Sequence, residues 1–186
     1  CSDYIRSHQY RLSLPFVKNK NVLVLECENG DGCFLLADHA LSVTGISSDP
    51  IAIRYASSEY VKENLSFQHS NILKGFSDSD QSFDIIVCFN DNFIAKSKDE
   101  FGKYSFAFKN LLKENGMVLL AFPLKSDSHE DLGIAWSDVL QILNENFVSI
   151  NQLGQTLFSG SNVYSFSNTS EFAQEILVQN IKGEYI

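Results

Sequence analysis

Short apolar blocks alternate with longer amphipathic segments along this chain. A block that is apolar at consecutive positions is typical of a strand buried on both faces of a parallel sheet. The predicted strands are Val22 to Leu25, Ser42 to Ile46, Leu65 to His69, Phe83 to Phe89, Met117 to Phe122, Phe147 to Leu153 and Asn162 to Phe166. The predicted helices between them are Cys33 to Ala40, Pro50 to about Lys62, Asp99 to Asn115 and Trp136 to Asn146.

The helix predicted from Asp99 to Asn115 has the clearest amphipathic pattern. One face carries apolar residues at helical spacing, namely Phe101, Tyr104, Phe108, Leu111 and Leu112. Phe106 lies on the opposite face and is therefore predicted to be exposed. Gly116 follows the segment and is typical of a helix C-cap position.

The alternation of strands and helices predicts a single α/β domain, residues 1–186, with a doubly wound, seven-stranded and mostly parallel sheet. The last two strands are joined by a short loop, which predicts an antiparallel hairpin at one edge. Ligands of such sheets bind beyond the carboxyl ends of the strands, near the point where the strand order reverses. The loop from Glu26 to Gly32 follows the first strand, so we expect it to face that crevice.

Charge and cysteine content narrow the possible partners and location. The 186 residues carry a net charge of −9, which argues against a nucleic-acid partner. No apolar run approaches the roughly 18 residues that a membrane-spanning helix needs. The four cysteines, Cys1, Cys27, Cys33 and Cys88, lack metal-ligand spacing. We therefore expect no metal site, and free thiols in a reducing, cytoplasmic location.

The start and the tail of the chain each carry an expectation. The chain begins at Cys1 rather than Met, as expected of a processed chain, an excised domain or a segment of a larger protein. Residues 170–186 form a tail whose apolar residues have helical spacing, namely Phe172, Ile176, Leu177 and Ile181. Together with Phe106, this tail predicts a docking surface for a neighbouring domain or protein subunit.

Six segments occur in an order and spacing that resemble a known family. They are HQYRL, NVLVLECENGDG, VTGISSDPIAIRYA, NLSFQHSNI, QSFDIIVCFND and LLKENGMVLLAFP. With these landmarks, about residues 8 to 150 resemble the class I S-adenosylmethionine-dependent methyltransferases, and most of all the group that acts on small molecules and glycans. The resemblance implies the doubly wound fold, S-adenosylmethionine as the cofactor and a transferase activity.

The resemblance also implies where the cofactor would lie, and several positions depart from the family pattern. Val24 stands in place of an acidic residue, and Glu26 and Glu28 stand in place of glycines beside the methionine part of the cofactor. Ser47 stands in place of the carboxylate that holds the ribose, with Asp49 two residues later. The implied cofactor-contacting positions are Glu26, Glu28, Gly30, Ser47, Asp49, Asn71, Ile72 and Asn90.

Two functions remain open from the sequence. The departures favour a methyltransferase-like domain with a degenerate S-adenosylmethionine site, little or no bound cofactor, and a structural or interaction role in a larger glycan-related protein. The alternative is an active S-adenosylmethionine-dependent methyltransferase that acts on a small-molecule or glycan hydroxyl. In that case His8 and His129 are weak catalytic candidates, because a histidine can act as a general base toward a hydroxyl.

Overall fold

The structure, a computed structural model, describes residues 2–74, 83–89, 97–123, 136–155 and 161–167. Its elements are α1 (Ser2–Val17), β1 (Asn21–Leu25), α2 (Asp31–Leu36), β2 (Ser42–Ser47), α3 (Pro50–Glu59), β3 (Leu65–His69), a 3-10 helix (Ile72–Lys74), β4 (Phe83–Cys88), α4 (Lys98–Leu111), β5 (Leu112–Pro123), α5 (Trp136–Asn146), β6 (Ser149–Gln155) and β7 (Ser161–Ser167). The predicted tail, residues 170–186, lies outside the described residues.

Within the described residues, the strands form one sheet in the order β3-β2-β1-β4-β5-β7-β6. Strands β1 to β5 pair in parallel, whereas β7 pairs antiparallel with both β5 and β6. The predicted α/β class with a parallel, doubly wound core is therefore confirmed. The chain runs from β1 outward through β2 and β3 and then returns to β4 on the other side of β1. The strand order thus reverses between β1 and β4, which is where ligands bind in sheets of this kind.

Helices cover both faces of the sheet, and alternating strand residues divide between two apolar cores. Val22 and Val24 of β1 point into a core that includes residues of α1 and α2. Leu23 and Leu25 point into a second core that includes residues of α4 and α5. All four side chains are buried, which explains why β1 is apolar at consecutive positions rather than alternating.

The helix α1 is absent from the elements that the sequence predicts. Its buried face mixes the polar side chains Gln9 and Ser13 with Tyr10 and Phe16, and Pro15 lies inside the helix. Polar residues at buried positions weaken the apolar periodicity, and an internal proline is typical of a helix break. Packing against α2 and the sheet stabilises a helix whose sequence pattern is weak.

Three predicted helix ends lie too far along the chain. Helices α2 and α3 end at Leu36 and Glu59, because the chain turns toward the next strand soon afterwards. Helix α4 ends at Leu111 rather than Asn115, so the predicted C-cap role of Gly116 is wrong. Leu112 already has extended dihedral angles and pairs with Phe83 of β4, and this strand pairing ends the helix. The strand register then shifts between Phe83 and Ile85, so that Ile85 pairs with Met117.

The amphipathic pattern of α4 is confirmed. Phe101, Phe108 and Leu112 are buried, and Tyr104 and Leu111 pack against the same core. Phe106 lies on the opposite face with 62% of its surface exposed.

Candidate functional site

The loop between β1 and α2 adopts a left-handed backbone at three alternating positions. The φ angles are 46° at Glu26, 48° at Glu28 and 88° at Gly30. Glycine adopts such angles readily, whereas a residue with a Cβ atom is strained there by about 1–2 kcal/mol. The two glutamates therefore adopt backbone conformations that are typical of glycine.

Gly30 is required by packing as well as by its φ angle. A Cβ atom at this position would lie 2.7 Å from Ala56 Cβ of α3 and 2.8 Å from Phe67 Cζ of β3. Any side chain would therefore push the loop away from these elements. In nucleotide-binding turns, a glycine at this place allows the same close approach of a helix and the sheet.

Hydrogen bonds hold the loop against β2 and start α2. The amide of Cys27 donates to the carbonyl of Ile46 at 3.0 Å, and the amide of Gly30 donates to the carbonyl of Cys27 at 2.9 Å. The amide of Phe34 then donates to the carbonyl of Gly30 at 3.0 Å. The backbone of the loop is thus shaped by its own bonds.

The carboxylate of Glu26 reaches across to the carboxyl end of β2. Its Oε2 atom accepts hydrogen bonds from Ser47 Oγ at 3.2 Å, from Ser48 N at 3.3 Å and from Ser48 Oγ at 3.2 Å. The resemblance implied that this side chain lies beside the methionine part of a cofactor. In the structure, Glu26 brings a negative charge to the end of β2, where Ser47 stands in place of the carboxylate that the family resemblance implies.

Ser47 and Asp49 are both used by the protein itself. The hydroxyl of Ser47 donates to Glu26 and also accepts from the amide of Asp49 at 3.1 Å. The carboxylate of Asp49 accepts from the amide of Ile51 at 2.8 Å, which makes Asp49 the N-cap of α3. A capping interaction of this kind fixes the side chain at the helix start.

Asn71 and Ile72 also have structural roles after β3. Asn71 Oδ1 accepts from the amide of Leu73 at 2.9 Å and thereby starts the 3-10 helix. Ile72 is buried in the same core as Ile46 and Phe101. The structure thus brings Glu26, Ser47 and Asp49 together around the ends of β1 and β2, whereas Asn90 lies outside the described residues.

Comparison with known proteins agrees with this architecture. A family model described as "Methyltransferase domain" matches residues 22–116, which is just over half of the chain. The chain belongs to the methyltransferase-domain family. Comparison with curated proteins gives no match.

Solved structures similar to this methyltransferase domain cover most of both chains. The N-methyltransferase NodS from Bradyrhizobium japonicum WM9 is 23% identical, with a TM-score of 0.70 over 91% of this chain and 97% of NodS. The TehB-like S-adenosylmethionine-dependent methyltransferase from Corynebacterium glutamicum is 18% identical, with a TM-score of 0.68 over 87% of each chain. Magnesium protoporphyrin IX methyltransferase from Synechocystis PCC 6803, with bound S-adenosylhomocysteine, is 14% identical, with a TM-score of 0.71 over 90% of this chain and 83% of that enzyme. At these identities the likeness shows the class I methyltransferase fold.

Tyr10 of α1 is a residue near the crevice that the sequence analysis does not single out. Its ring meets Phe89, after β4, edge to face, with the ring centroids 5.3 Å apart. A Cβ atom on Gly32 would lie 2.2 Å from the same ring, so Tyr10 packs directly on the first turn of α2. Burial raises the pKa of the Tyr10 hydroxyl well above its usual range, which keeps it neutral. The segment HQYRL, residues 8–12, contains Tyr10 and was the sequence signal that pointed to this part of α1.

Tyr104 of α4 is a second such residue. Burial, followed by the negative charges of Glu100 and Glu26, raises its pKa to about 12. The phenol of Tyr104 is therefore protonated at neutral pH and can only act there as a neutral hydrogen-bonding group.

The catalytic candidates His8 and His129 stay predictions. His8 is exposed on α1, and His129 lies outside the described residues. Across the described ranges, no group of three or more His, Cys, Asp or Glu side chains could hold a metal ion. No helix in the described part of the methyltransferase domain is both long and apolar enough to cross a membrane.

Proposed function

We propose that this methyltransferase domain has a degenerate S-adenosylmethionine site, binds the cofactor weakly or not at all, and serves a structural or interaction role. The observation that carries the proposal is the internal use of the polar side chains expected to hold the cofactor. Ser47 is bonded to Glu26, Asp49 caps α3, and Asn71 starts the 3-10 helix. A cofactor would have to compete with these bonds.

The cost of that competition can be estimated from each bond. A hydrogen bond to a charged group contributes about 1.5–3 kcal/mol, and an N-cap contributes about 0.5–2 kcal/mol. Breaking one such interaction to release Ser47 or Asp49 would weaken cofactor binding by roughly 10- to 100-fold. Releasing both would take a site of ordinary micromolar affinity into the millimolar range.

The two glutamates add an electrostatic argument. Glu26 and Glu28 place two carboxylates in a loop of a domain that already has a net charge of −9. They would repel the carboxylate of S-adenosylmethionine and attract its sulfonium. Because S-adenosylhomocysteine keeps the carboxylate and lacks the positive sulfonium, we expect it to bind more weakly than S-adenosylmethionine to this domain.

Exposed apolar side chains on two helices support the interaction role. Phe106 on α4 is 62% exposed, and on α3 Ile51 and Tyr55 are 66% and 50% exposed. Ile51 and Tyr55 are one helical turn apart and so lie on the same face of α3. We propose a neighbouring domain or subunit, within a larger glycan-related protein, as the partner.

The proposed glycan association rests on the sequence resemblance alone. The proposed cytoplasmic location rests on the buried free thiols Cys27, Cys33 and Cys88.

A second candidate function is an active methyltransferase on a small-molecule or glycan hydroxyl. Two observations favour it: the loop keeps the backbone typical of glycine, and Glu26 places a carboxylate at the end of β2. An acidic side chain near that strand end holds ribose hydroxyls in related nucleotide-binding folds. Gly30, Ser47, Asp49, Asn71 and Asn90 would then line the cofactor, with His8 or His129 near the acceptor.

Titration calorimetry with S-adenosylmethionine and S-adenosylhomocysteine separates the two functions. The degenerate site predicts no heat at micromolar ligand, and thermal stabilisation at most at millimolar ligand. NodS, whose structure has been solved in complex with S-adenosylhomocysteine, is a suitable positive control. Micromolar affinity for either ligand would refute the degenerate site. Absence of heat and of thermal stabilisation at millimolar ligand would refute the active enzyme.

A further inference from the structure

Two buried thiols lie side by side beneath the loop between β1 and α2. Cys27 is in the loop and Cys33 is in the first turn of α2. A Cβ atom placed on Gly45 of β2 would lie 2.9 Å from Cys33 Sγ and 3.0 Å from Cys27 Sγ. Both sulfurs therefore lie against the same point of β2, Gly45, which is the one position of this strand that has no side chain.

The third described cysteine is separated from this pair by the sheet. Cys27 and Cys33 belong to the core that includes residues of α1 and α2. Cys88 of β4 belongs to the other core, together with residues of α4 and α5. Cys88 is equally buried but cannot reach the pair, so it is a natural control.

We propose that Cys27 and Cys33 form a disulfide when a peroxide-class oxidant acts on the protein, and that this bond locks the loop between β1 and α2. One sulfur attacks a peroxide oxygen, the O–O bond breaks, and a sulfenic acid and water form. The other sulfur attacks the sulfenic sulfur, the S–O bond breaks, and a second water leaves. Two S–H bonds are lost, one S–S bond forms, and hydrogen peroxide is reduced to two water molecules.

The surroundings of the pair make this oxidation slow at neutral pH. Burial, followed by the hydrogen bond with Cys27, raises the pKa of Cys33. The thiolate is the attacking species, so the rate rises with pH and with any local opening that admits the oxidant. In a reducing compartment, disulfides are usually transient and serve in redox sensing.

The bond would tie the loop to the first turn of α2. Glu28 and Gly30, which both have left-handed backbone angles, lie between the two cysteines. Any rearrangement of this segment toward a ligand or a partner would then have to occur inside a closed ring. The inference does not depend on cofactor binding, and it stands or falls separately from the proposed function.

Peptide mapping of the full chain tests the disulfide directly. Trypsin cleaves after Lys20 and Arg54, and residues 21–54 contain Cys27 and Cys33 but neither Cys1 nor Cys88. The folded protein is treated with hydrogen peroxide, remaining thiols are alkylated under denaturing conditions, and the digest is analysed by mass spectrometry. We expect this peptide to appear unalkylated and lighter by two hydrogen atoms, and to be alkylated twice after reduction.

Variants and a second measurement complete the test. Cys27→Ser and Cys33→Ser should each abolish the lighter peptide, whereas Cys88→Ser should retain it. Hydrogen exchange of the amides at residues 28–32 should slow by roughly tenfold in the oxidised wild-type protein. A peptide in which both cysteines stay alkylatable, or in which either is linked to Cys88, would overturn the inference. This map uses the wild-type protein, so it decides the question even if a variant fails to fold.

Discussion

Moving the carboxylate of Glu26 onto the end of β2 is the sharpest test of the degenerate site. The double variant Glu26→Gly with Ser47→Asp leaves the net charge unchanged and relieves the strained φ of 46° at Glu26. It also frees the Ser48 hydroxyl and amide, which donate to Glu26 in the wild-type protein. A carboxylate at position 47 that accepts ribose hydroxyls should raise affinity for S-adenosylmethionine by about 10- to 100-fold, or about 1.4–2.8 kcal/mol.

The single variants should behave differently from the double variant. Ser47 Oγ lies 3.2 Å from Glu26 Oε2, so Ser47→Asp alone would place two carboxylates about 4 Å apart or closer. Their repulsion is about 1–4 kcal/mol at that distance, depending on solvent screening, and should lower the free energy of unfolding. Glu26→Gly in the same chain should restore that stability, which is a coupling that a double-mutant cycle measures.

Titration calorimetry and urea unfolding of the four proteins in the cycle provide the readouts. A matched control is the pair Glu59→Gly and Ser58→Asp, which moves a carboxylate by one residue on the exposed side of α3. This pair should leave the affinity for S-adenosylmethionine unchanged, and its two substitutions should show no coupling in stability. The reasoning is refuted if the double variant binds no better than the wild-type protein, or if Ser47→Asp is as stable alone as in combination. The first result would mean that the internal bonds of Asp49 and Asn71, or the side chain of Glu28, limit cofactor affinity more than Glu26 and Ser47 do.

Three further predictions concern stability. Gly30→Ala should lower the free energy of unfolding by about 1–2 kcal/mol because of the left-handed φ alone, and contact with Ala56 and Phe67 should add to that cost. Urea unfolding measures the change, and Gly102→Ala is the control because a Cβ atom at Gly102 meets open space. Gln9→Leu should raise the free energy of unfolding by about 1–3 kcal/mol, because Gln9 Nε2 is buried and has no hydrogen-bond partner among the residues that the structure describes. A loss of stability would show that this amide has a partner in solution. The folded pKa of Tyr104, about 12, exceeds its ordinary value of 10.0. The contribution of this raised pKa to the free energy of unfolding should therefore be complete below pH 10 and lost as the pH rises toward 12. Unfolding experiments at pH 9 and pH 11.5 measure this loss, and Tyr104→Phe should remove it.

The strands could be predicted from the sequence because burial on both faces leaves a direct trace in it. Every residue from Val22 to Leu25 is buried, so the apolar run and the strand coincide. Helix α1 could not be predicted, because its buried Gln9 and Ser13 mimic an exposed polar face. The end of α4 could not be predicted either. Pairing of Leu112 with Phe83 is a contact between distant parts of the chain, and it takes precedence over the local signal of Gly116.

The bonds made by the candidate site residues could not be predicted from the sequence. The pattern predicts that Glu26 follows the first strand and that Ser47 follows the second, and the family resemblance implies that these residues and Asp49 share one pocket. The direction of the Glu26 side chain depends on the donors of Ser47 and Ser48, which come from another strand end. Likewise, a one-residue motif cannot show that Asp49 is already engaged as a helix cap. A sequence shows which residue is present at a position. Whether its side chain is available to a ligand depends on the hydrogen bonds that the side chain already makes within the protein.

The bonds of its carboxylate help to explain how the fold tolerates a strained backbone at Glu26. Left-handed φ angles at Glu26 and Glu28 cost about 1–2 kcal/mol each. Three hydrogen bonds to the Glu26 carboxylate offset part of that cost and join the carboxyl ends of β1 and β2. In a cofactor-binding turn the same place must remain accessible to the ligand, so a side chain that bonds across it trades ligand affinity for stability of the loop. In the proposed degenerate site, Glu26 therefore stabilises the loop. On that account, a variant that gains cofactor affinity by losing Glu26 should not also gain loop stability.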